Sequence, residues 1–301
     1  MKKALRTVLR ILLSLTLVLS CAMLLRQHLG RRNAHSATNE AVQLAAIPSL
    51  PEELPEEAPA AKHASLPEGA AQTTIMDAPP ALSELPEESL PAAGRPIGWQ
   101  DAPVTDDPCM EQLAGTDLAA LRAVNEDVLG WISIPGTFVN YPLMDGDDNS
   151  YYLTHAWDKS YSYYGSVFLE QSSSPDLTDF NTILYGHNMG DENIFGSLKH
   201  YDDPDYWEEH PYVYIVDDRG VHRYEIFAAY EASIRSIVYA LEFDNDLRER
   251  FIAAATEHSV IDTGITPEIT NRILTLSTCT GYTKDTRWVV QARLVSTHDA
   301  E

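Results

Sequence analysis

From residue 128 onward the chain is a succession of short runs rich in β-branched and aromatic residues, punctuated by Gly, Pro, Asn and Asp. Runs at 130–134 (GWISI), 166–169 (SVFL), 182–185 (TILY), 212–216 (YVYIV) and 222–230 (HRYEIFAAY) fit strands, and 272–278 (RILTLST) and 287–295 (RWVVQARLV) close the series. Two stretches carry helical spacing instead. Residues 117–125 (DLAALRAVN) predict a short helix capped by Thr116 or Asp117. Residues 244–259 predict a longer one, with Leu247, Phe251, Ile252 and Ala255 on one face. Seven or eight short strands with few helices predict a mostly β fold, a barrel or sandwich carrying helical insertions.

Before residue 109 the pattern differs. Residues 11–25 (ILLSLTLVLSCAMLL) carry no charge and follow a basic start, MKKALRTVLR. Fifteen residues is short beside the roughly 20 of a spanning helix and close to a signal-peptide core. Snorkelling of Arg10 and Arg26 extends the usable apolar span to Thr7, Val8 and Leu9. The small-residue site Ser20-Cys21-Ala22 runs on into apolar Met23-Leu24-Leu25. Residues 1–32 are therefore read as an uncleaved N-terminal membrane anchor, with a cleaved signal or a lipoprotein at Cys21 as the alternative. Residues 33–108 hold twelve of the 18 prolines, with LPEE at Leu50, Leu54 and Leu85 and LPEG at Leu66. A self-repelling Pro/Ala/Glu chain of this kind has too little apolar surface to pack, and predicts a disordered, extended linker. Residues 109–301 remain as the folded unit.

Charge separates the same three regions: net +7 over 1–32, −11 over 33–108 and −20 over 109–301, giving −24 for the whole chain. An acidic chain without a concentrated basic surface excludes nucleic acid as partner. Three cysteines, Cys21, Cys109 and Cys279, build neither a disulfide framework nor a paired-CxxC zinc site. Asp145, Asp147 and Asp148 cluster, but an acidic turn on an acidic surface is the plainer reading than a calcium site. No metal or cofactor is expected.

Three residues combine into a chemistry. Cys279 ends one late strand and Arg287 starts the next, eight residues on, so a hairpin sets them at the mouths of adjacent strands. There the arginine can stabilise an oxyanion or a thiolate. It also has to offset the field of a domain at −20, which raises a thiol's pKa. His187 follows the strand at 182–185, and histidine is the natural proton carrier for a cysteine nucleophile near neutral pH. Each element alone is weak, since a strand cysteine is more often a small core residue.

Thr275-Leu276-Ser277-Thr278-Cys279 with Arg287 downstream resembles the sortase signature, TLxTC followed by Arg. Asn181 to His187 (NTILYGH) resembles the class B catalytic-histidine segment. The runs at 125–137, 140–142, 148–153 and 165–169 resemble the opening of class B domains, so the likeness covers 115–295 in order. It implies a sortase-like closed β-barrel of seven to eight strands, with an N-terminal helix and a helix inserted before the cysteine strand. It implies a cysteine transpeptidase of Gram-positive cell surfaces, held on the membrane with its catalytic domain outside. Cys279 would be the nucleophile, His187 the proton carrier and Arg287 the oxyanion donor. Leu153, Ser277 and Thr280 would line the substrate groove. Partners would be surface proteins bearing a sorting signal, and an amine of a peptidoglycan precursor or a pilin. A cysteine endopeptidase hydrolysing the same bond, and a non-catalytic surface binding domain, are the alternatives.

Overall fold

The computed structural model describes Thr16, Val18, Ser20, and residues 35–47, 107–280 and 284–299. The anchor expected over 1–32 and the linker expected beyond residue 47 lie outside the described residues, apart from those three positions and Asp107 and Pro108. Among the described residues no helix is long and apolar enough to cross a membrane.

Eight strands form a closed barrel in the order β1-β2-β3-β4-β7-β8-β6-β5. They are β1 (Val128–Ser133), β2 (Asn140–Met144), β3 (Val167–Leu169), β4 (Asn181–Tyr185), β5 (Tyr212–Asp217), β6 (Gly220–Ser233), β7 (Ile273–Cys279) and β8 (Thr286–Asp299). The β2–β3 and β4–β7 pairs are parallel and the other six are antiparallel. Alternation decides the faces. On β7, Leu274 and Leu276 join Ile132, Leu143, Leu184, Ile215, Ile226 and Val290 in the main core. Ile273, adjacent to Leu274 in the strand, packs instead with Phe227, Phe251 and Val289 on the outside. Each such side chain contributes about 1.5–3 kcal/mol by leaving water.

The outer layer over β6 and β7 is the long helix between them, α5 (Asn245–His258), capped by the Asp244 side chain on the Leu247 amide at 2.7 Å. Its inward face differs from expectation at one position. Leu247 is half-buried and Arg248 is buried, its guanidinium 5.0 Å from the centre of the Phe180 ring. A long aliphatic stem and a cation over an aromatic face replace the leucine.

The sequence runs omitted β2. Its Pro142 argues against a central strand, yet it pairs with Trp131 while β3 reaches only Leu143 and Met144. Proline is tolerated because it sits where the strand has a neighbour on one side alone. Two short helices lead into the barrel: α2 (Pro108–Ala114), capped by Asp107, and α3 (Leu118–Arg122), capped by Asp117 on the Ala120 amide at 2.8 Å. The latter is the short helix expected over 117–125. A further helix, α4 (Pro204–Glu209), stands between β4 and β5.

Residues 35–44, which the composition assigned to the linker, are helical; we term this segment α1. The physical reason is local: residues 35–47 (HSATNEAVQLAAI) contain no proline, and the prolines that dominate the average begin at Pro48. Ala37, Ala41 and Ala45 lie buried in one cluster with Met110, Leu121, Trp131 and Trp157.

Candidate active site

Cys279 is the last residue of β7 and is exposed. Arg287, the second residue of β8, is its direct partner across the antiparallel ladder. On the other side of β7 runs parallel β4, with Asn181 beside Ile273, Ile183 beside Thr275 and Tyr185 beside Ser277. Two residues beyond that last pair stand His187, just past the end of β4, and Cys279, at the end of β7. Two hydrogen bonds bracket that position: Gly186 N donates to the Ser277 carbonyl at 3.3 Å, and Asn188 Nδ2 donates to the Cys279 carbonyl at 2.7 Å. Imidazole, thiol and guanidinium thus occupy one end of three adjacent strands. Gly186 permits the chain to turn there, since a Cβ would meet the Ile194 and Phe195 side chains at 2.8 Å.

The imidazole is held from behind. Leu153 belongs to the 3₁₀ turn Tyr151–Leu153, whose start is fixed by Asp148 accepting from the Ser150 and Tyr151 amides at 2.6 and 2.7 Å. The Leu153 carbonyl lies 2.7 Å from His187 Nε2. A carbonyl only accepts, so Nε2 carries the proton and Nδ1 is the basic nitrogen of the neutral ring. Leu153 therefore meets the site through its backbone. Arg287 Nη1 donates to the Lys284 and Thr286 carbonyls at 3.0 and 2.9 Å, which ties it to the hairpin it starts.

Ser277 is buried, its hydroxyl 2.9 Å from Tyr239 Oη, so Tyr239 covers it. Thr280 Oγ1 lies 3.1 Å from Thr286 Oγ1 across the hairpin. Burial pushes the Tyr239 phenol up, and both Arg287 and Cys279 lie within its electrostatic reach. Tyr185 is likewise raised, first by burial and then by its 2.8 Å bond to Glu170. Glu170, itself buried, also accepts from Asn149 Nδ2 on both carboxylate oxygens, at 2.7 and 2.8 Å. Asn188, Tyr239, Glu170 and Asn149 escape a reading of the sequence. Asn188 adjoins the histidine motif, but Tyr239 lies in the β6–β7 connection with no local signal.

Cys109 has a different environment. It sits half-buried at the start of α2, where burial and then the Asp107 carboxylate push its thiol up to about 11. The thiol form is favoured there at neutral pH, which disfavours attack by this cysteine. Among the described residues no group of three or more His, Cys, Asp or Glu side chains is arranged to hold a metal.

An exposed thiol flanked by an imidazole and a guanidinium is the set of groups that acyl transfer through cysteine requires. Comparison with known proteins agrees. Residues 132–295 match the sortase domain family. Sortase B of Staphylococcus aureus is 31% identical over 179 residues, covering 58% of this chain and 73% of that protein. Sortase B of Listeria monocytogenes is 33% identical, covering 60% and 74%. Among solved structures, a Staphylococcus aureus sortase B–substrate complex superposes with a TM-score of 0.57 at 29% identity, over 60% of this chain and 85% of that one. Clostridium perfringens sortase B gives 0.56 at 28% identity, over 60% and 100%. The chain belongs to the sortase family, in its class B branch, and is a cysteine transpeptidase.

Proposed function

We propose that the protein is a membrane-anchored sortase that cleaves a C-terminal sorting signal after threonine and joins the threonine carbonyl to an amine of the cell-wall precursor or of a pilin. The observation that carries this reading is the placement of His187, Cys279 and Arg287 at one end of three neighbouring strands. Cys279 gives its thiol proton to His187 Nδ1, and its Sγ attacks the threonine carbonyl carbon so that an S–C bond forms. The oxyanion accepts from the Nη2 and Nε donors of Arg287, whose Nη1 holds the hairpin. Collapse breaks the C–N bond, and His187 delivers a proton to the leaving amine. The acceptor amine then gives a proton to His187 and attacks the thioester, and Cys279 leaves as thiolate.

The substrates follow the relatives. A Staphylococcus aureus sortase B is known in complex with substrate, and a solved sortase B is complexed with triglycine. A sorting peptide and an oligoglycine-type amine are therefore the first pair to try. The apolar run at 11–25 between Arg10 and Arg26 supports an anchor, and four basic residues before it against three after it favour the orientation that leaves the barrel outside the cell.

A small library of quenched sorting peptides, offered with and without triglycine or a diaminopimelate-type amine and read by mass spectrometry, tests the function. Transfer gives a new amide carrying the added amine. A free threonine carboxylate alone, with amine present, would mean an endopeptidase. Tight peptide binding without cleavage would mean a binding domain.

A further inference from the structure

The stretch that composition marks as a spacer begins with a segment that the catalytic unit needs. Ala37, Ala41 and Ala45 recur every fourth residue, so they line one face of α1 and of the turn that ends it, and all three are buried. Small side chains bring the helix backbone close enough for its carbonyls to be used. Ala37 O accepts from Trp157 Nε1 at 2.7 Å, and Ala45 O accepts from the Asp117 amide, at the cap of α3, at 3.0 Å. At the other end the His35 ring lies 5.8 Å from the Tyr164 ring, and Ile47 is buried in the same cluster as Met110 and Leu113. A helix of about ten residues is marginal alone in water, so packing is what forms it. The dependence runs both ways: Trp157 is buried, and without α1 its indole N–H loses that acceptor at a cost of about 1–3 kcal/mol.

We propose that α1 is a docked clamp that carries the catalytic domain directly behind the N-terminal apolar segment, and that residues 48–106 join two points on one body instead of spacing the domain from the membrane. The part concerning the membrane rests on the anchor reading above. The difference in reach is large. An extended Pro-rich chain over 33–106 at about 3.1 Å per residue would allow on the order of 200 Å. With α1 docked, only residues 33 and 34 separate the basic end of the anchor segment from the domain, about 7 Å of chain.

The test uses the full chain with an N-terminal affinity tag and a specific protease sequence inserted after residue 60. After complete cleavage in mild detergent, the tag is captured. The clamp predicts that fragment 61–301 stays with fragment 1–60, and that Ala41→Glu, which buries a charge in the seam, speeds its release at least tenfold. Trp157→Phe, which keeps the ring and removes the N–H, should speed release severalfold. Release from the wild-type chain as fast as from Ala41→Glu overturns the proposal, and so does retention by both. Sedimentation of the uncut chain with phospholipid vesicles separates the two readings. Failure there removes the anchor, while the capture experiment still decides the clamp.

Discussion

Cys279 and Arg287 are direct partners across the last two strands of the barrel, in the register that also pairs Ser277 with Val289 and Thr275 with Gln291. Directly opposed residues share a face, so thiol and guanidinium emerge on the same side of the sheet. Parallel β4 brings His187 to the other flank of the cysteine, 92 residues away in sequence and one strand away in space. The ladder beneath is tied by a buried polar chain. Tyr230 Oη donates to Gln291 Oε1, Gln291 Nε2 to Thr275 Oγ1 and Thr275 Oγ1 to Asn181 Oδ1, at 2.8, 2.9 and 2.6 Å. The first threonine of the TLSTC motif is thus a structural bolt across β4, β7, β8 and β6.

Arg287 separates charge from geometry. A guanidinium offers a fork of donors, while an ammonium offers charge alone. Loss of one oxyanion donor costs about 2.7–4 kcal/mol, or 10²–10³ in rate. Arg287→Lys should lose most of kcat, and Arg287→Ala somewhat more, with thiol alkylation still measurable in both. Substantial rescue by lysine, with the pH dependence of alkylation shifted only in the alanine variant, would assign the arginine to lowering the thiol pKa instead.

The bond from His187 Nε2 to the Leu153 carbonyl fixes a tautomer. In protein labelled with ¹⁵N-histidine, the neutral His187 ring should show a pyrrole-type Nε2 and a pyridine-type Nδ1, with both signals missing in His187→Gln. The opposite pattern would mean that the Leu153 contact does not orient the ring.

The strands of the barrel and the helix before β7 were legible because alternating and helical periodicities are local properties of the chain. The strand-end positions of Cys279 and Arg287 were legible because motif spacing reports where runs stop: Cys279 closes one and Arg287 opens the next. What escaped depends on distant partners. Pro142 hid β2, because only its one-sided neighbourhood makes a proline acceptable there. Arg248 took the place expected for Leu247 because Phe180 offers it a ring. Ala37, Ala41 and Ala45 were averaged into a proline-rich composition, and only the Trp157 surface gives their spacing meaning. Tyr239 and Glu170 reach the site through tertiary contacts that no spacing announces.

Glu170 should prove to be a structural support of the histidine strand. Replacing it with alanine removes the acceptor for Tyr185 Oη and for Asn149 Nδ2. A buried donor left unpaired costs about 1–3 kcal/mol, and Tyr185 and Asn149 are half-buried, so Glu170→Ala should lose about 2 kcal/mol in denaturant unfolding and Glu170→Gln clearly less. Equal stability of Glu170→Ala and wild type would show that these bonds do not hold the strand.

Acid should weaken the fold at the far end of the barrel. Burial acts to raise the Asp217 carboxyl, but bonds from His222 and Arg219 outweigh it and hold the group at about 2, against an ordinary 3.8. A carboxylate depressed in the folded state stabilises above its unfolded pKa, and that stability is lost as pH falls from 3.8 toward 2. The amount is about 2 kcal/mol. Burial pushes His222 down despite Asp217, so its neutral form is favoured and its contribution is lost as pH falls below 6.5. Unfolding free energy should therefore decline below pH 6.5 and again below 3.8. Asp217→Asn should be about 2 kcal/mol less stable at pH 7 and show a shallower lower decline, since Asp107 and Asp176 are also held below the ordinary range. An unchanged lower decline in that variant would assign it to other carboxylates.

The most direct test is intact-mass analysis of the protein mixed with a cleavable sorting peptide, and separately with a methanethiosulfonate reagent, for wild type, Cys279→Ala and Cys109→Ala. Wild type and Cys109→Ala should cleave the peptide and carry the acyl adduct and the thiol label at Cys279. Cys279→Ala should fold normally, cleave nothing and carry neither mass at that position. Peptide cleavage by the Cys279→Ala protein would contradict the assignment of the nucleophile, and with it the roles given to His187 and Arg287.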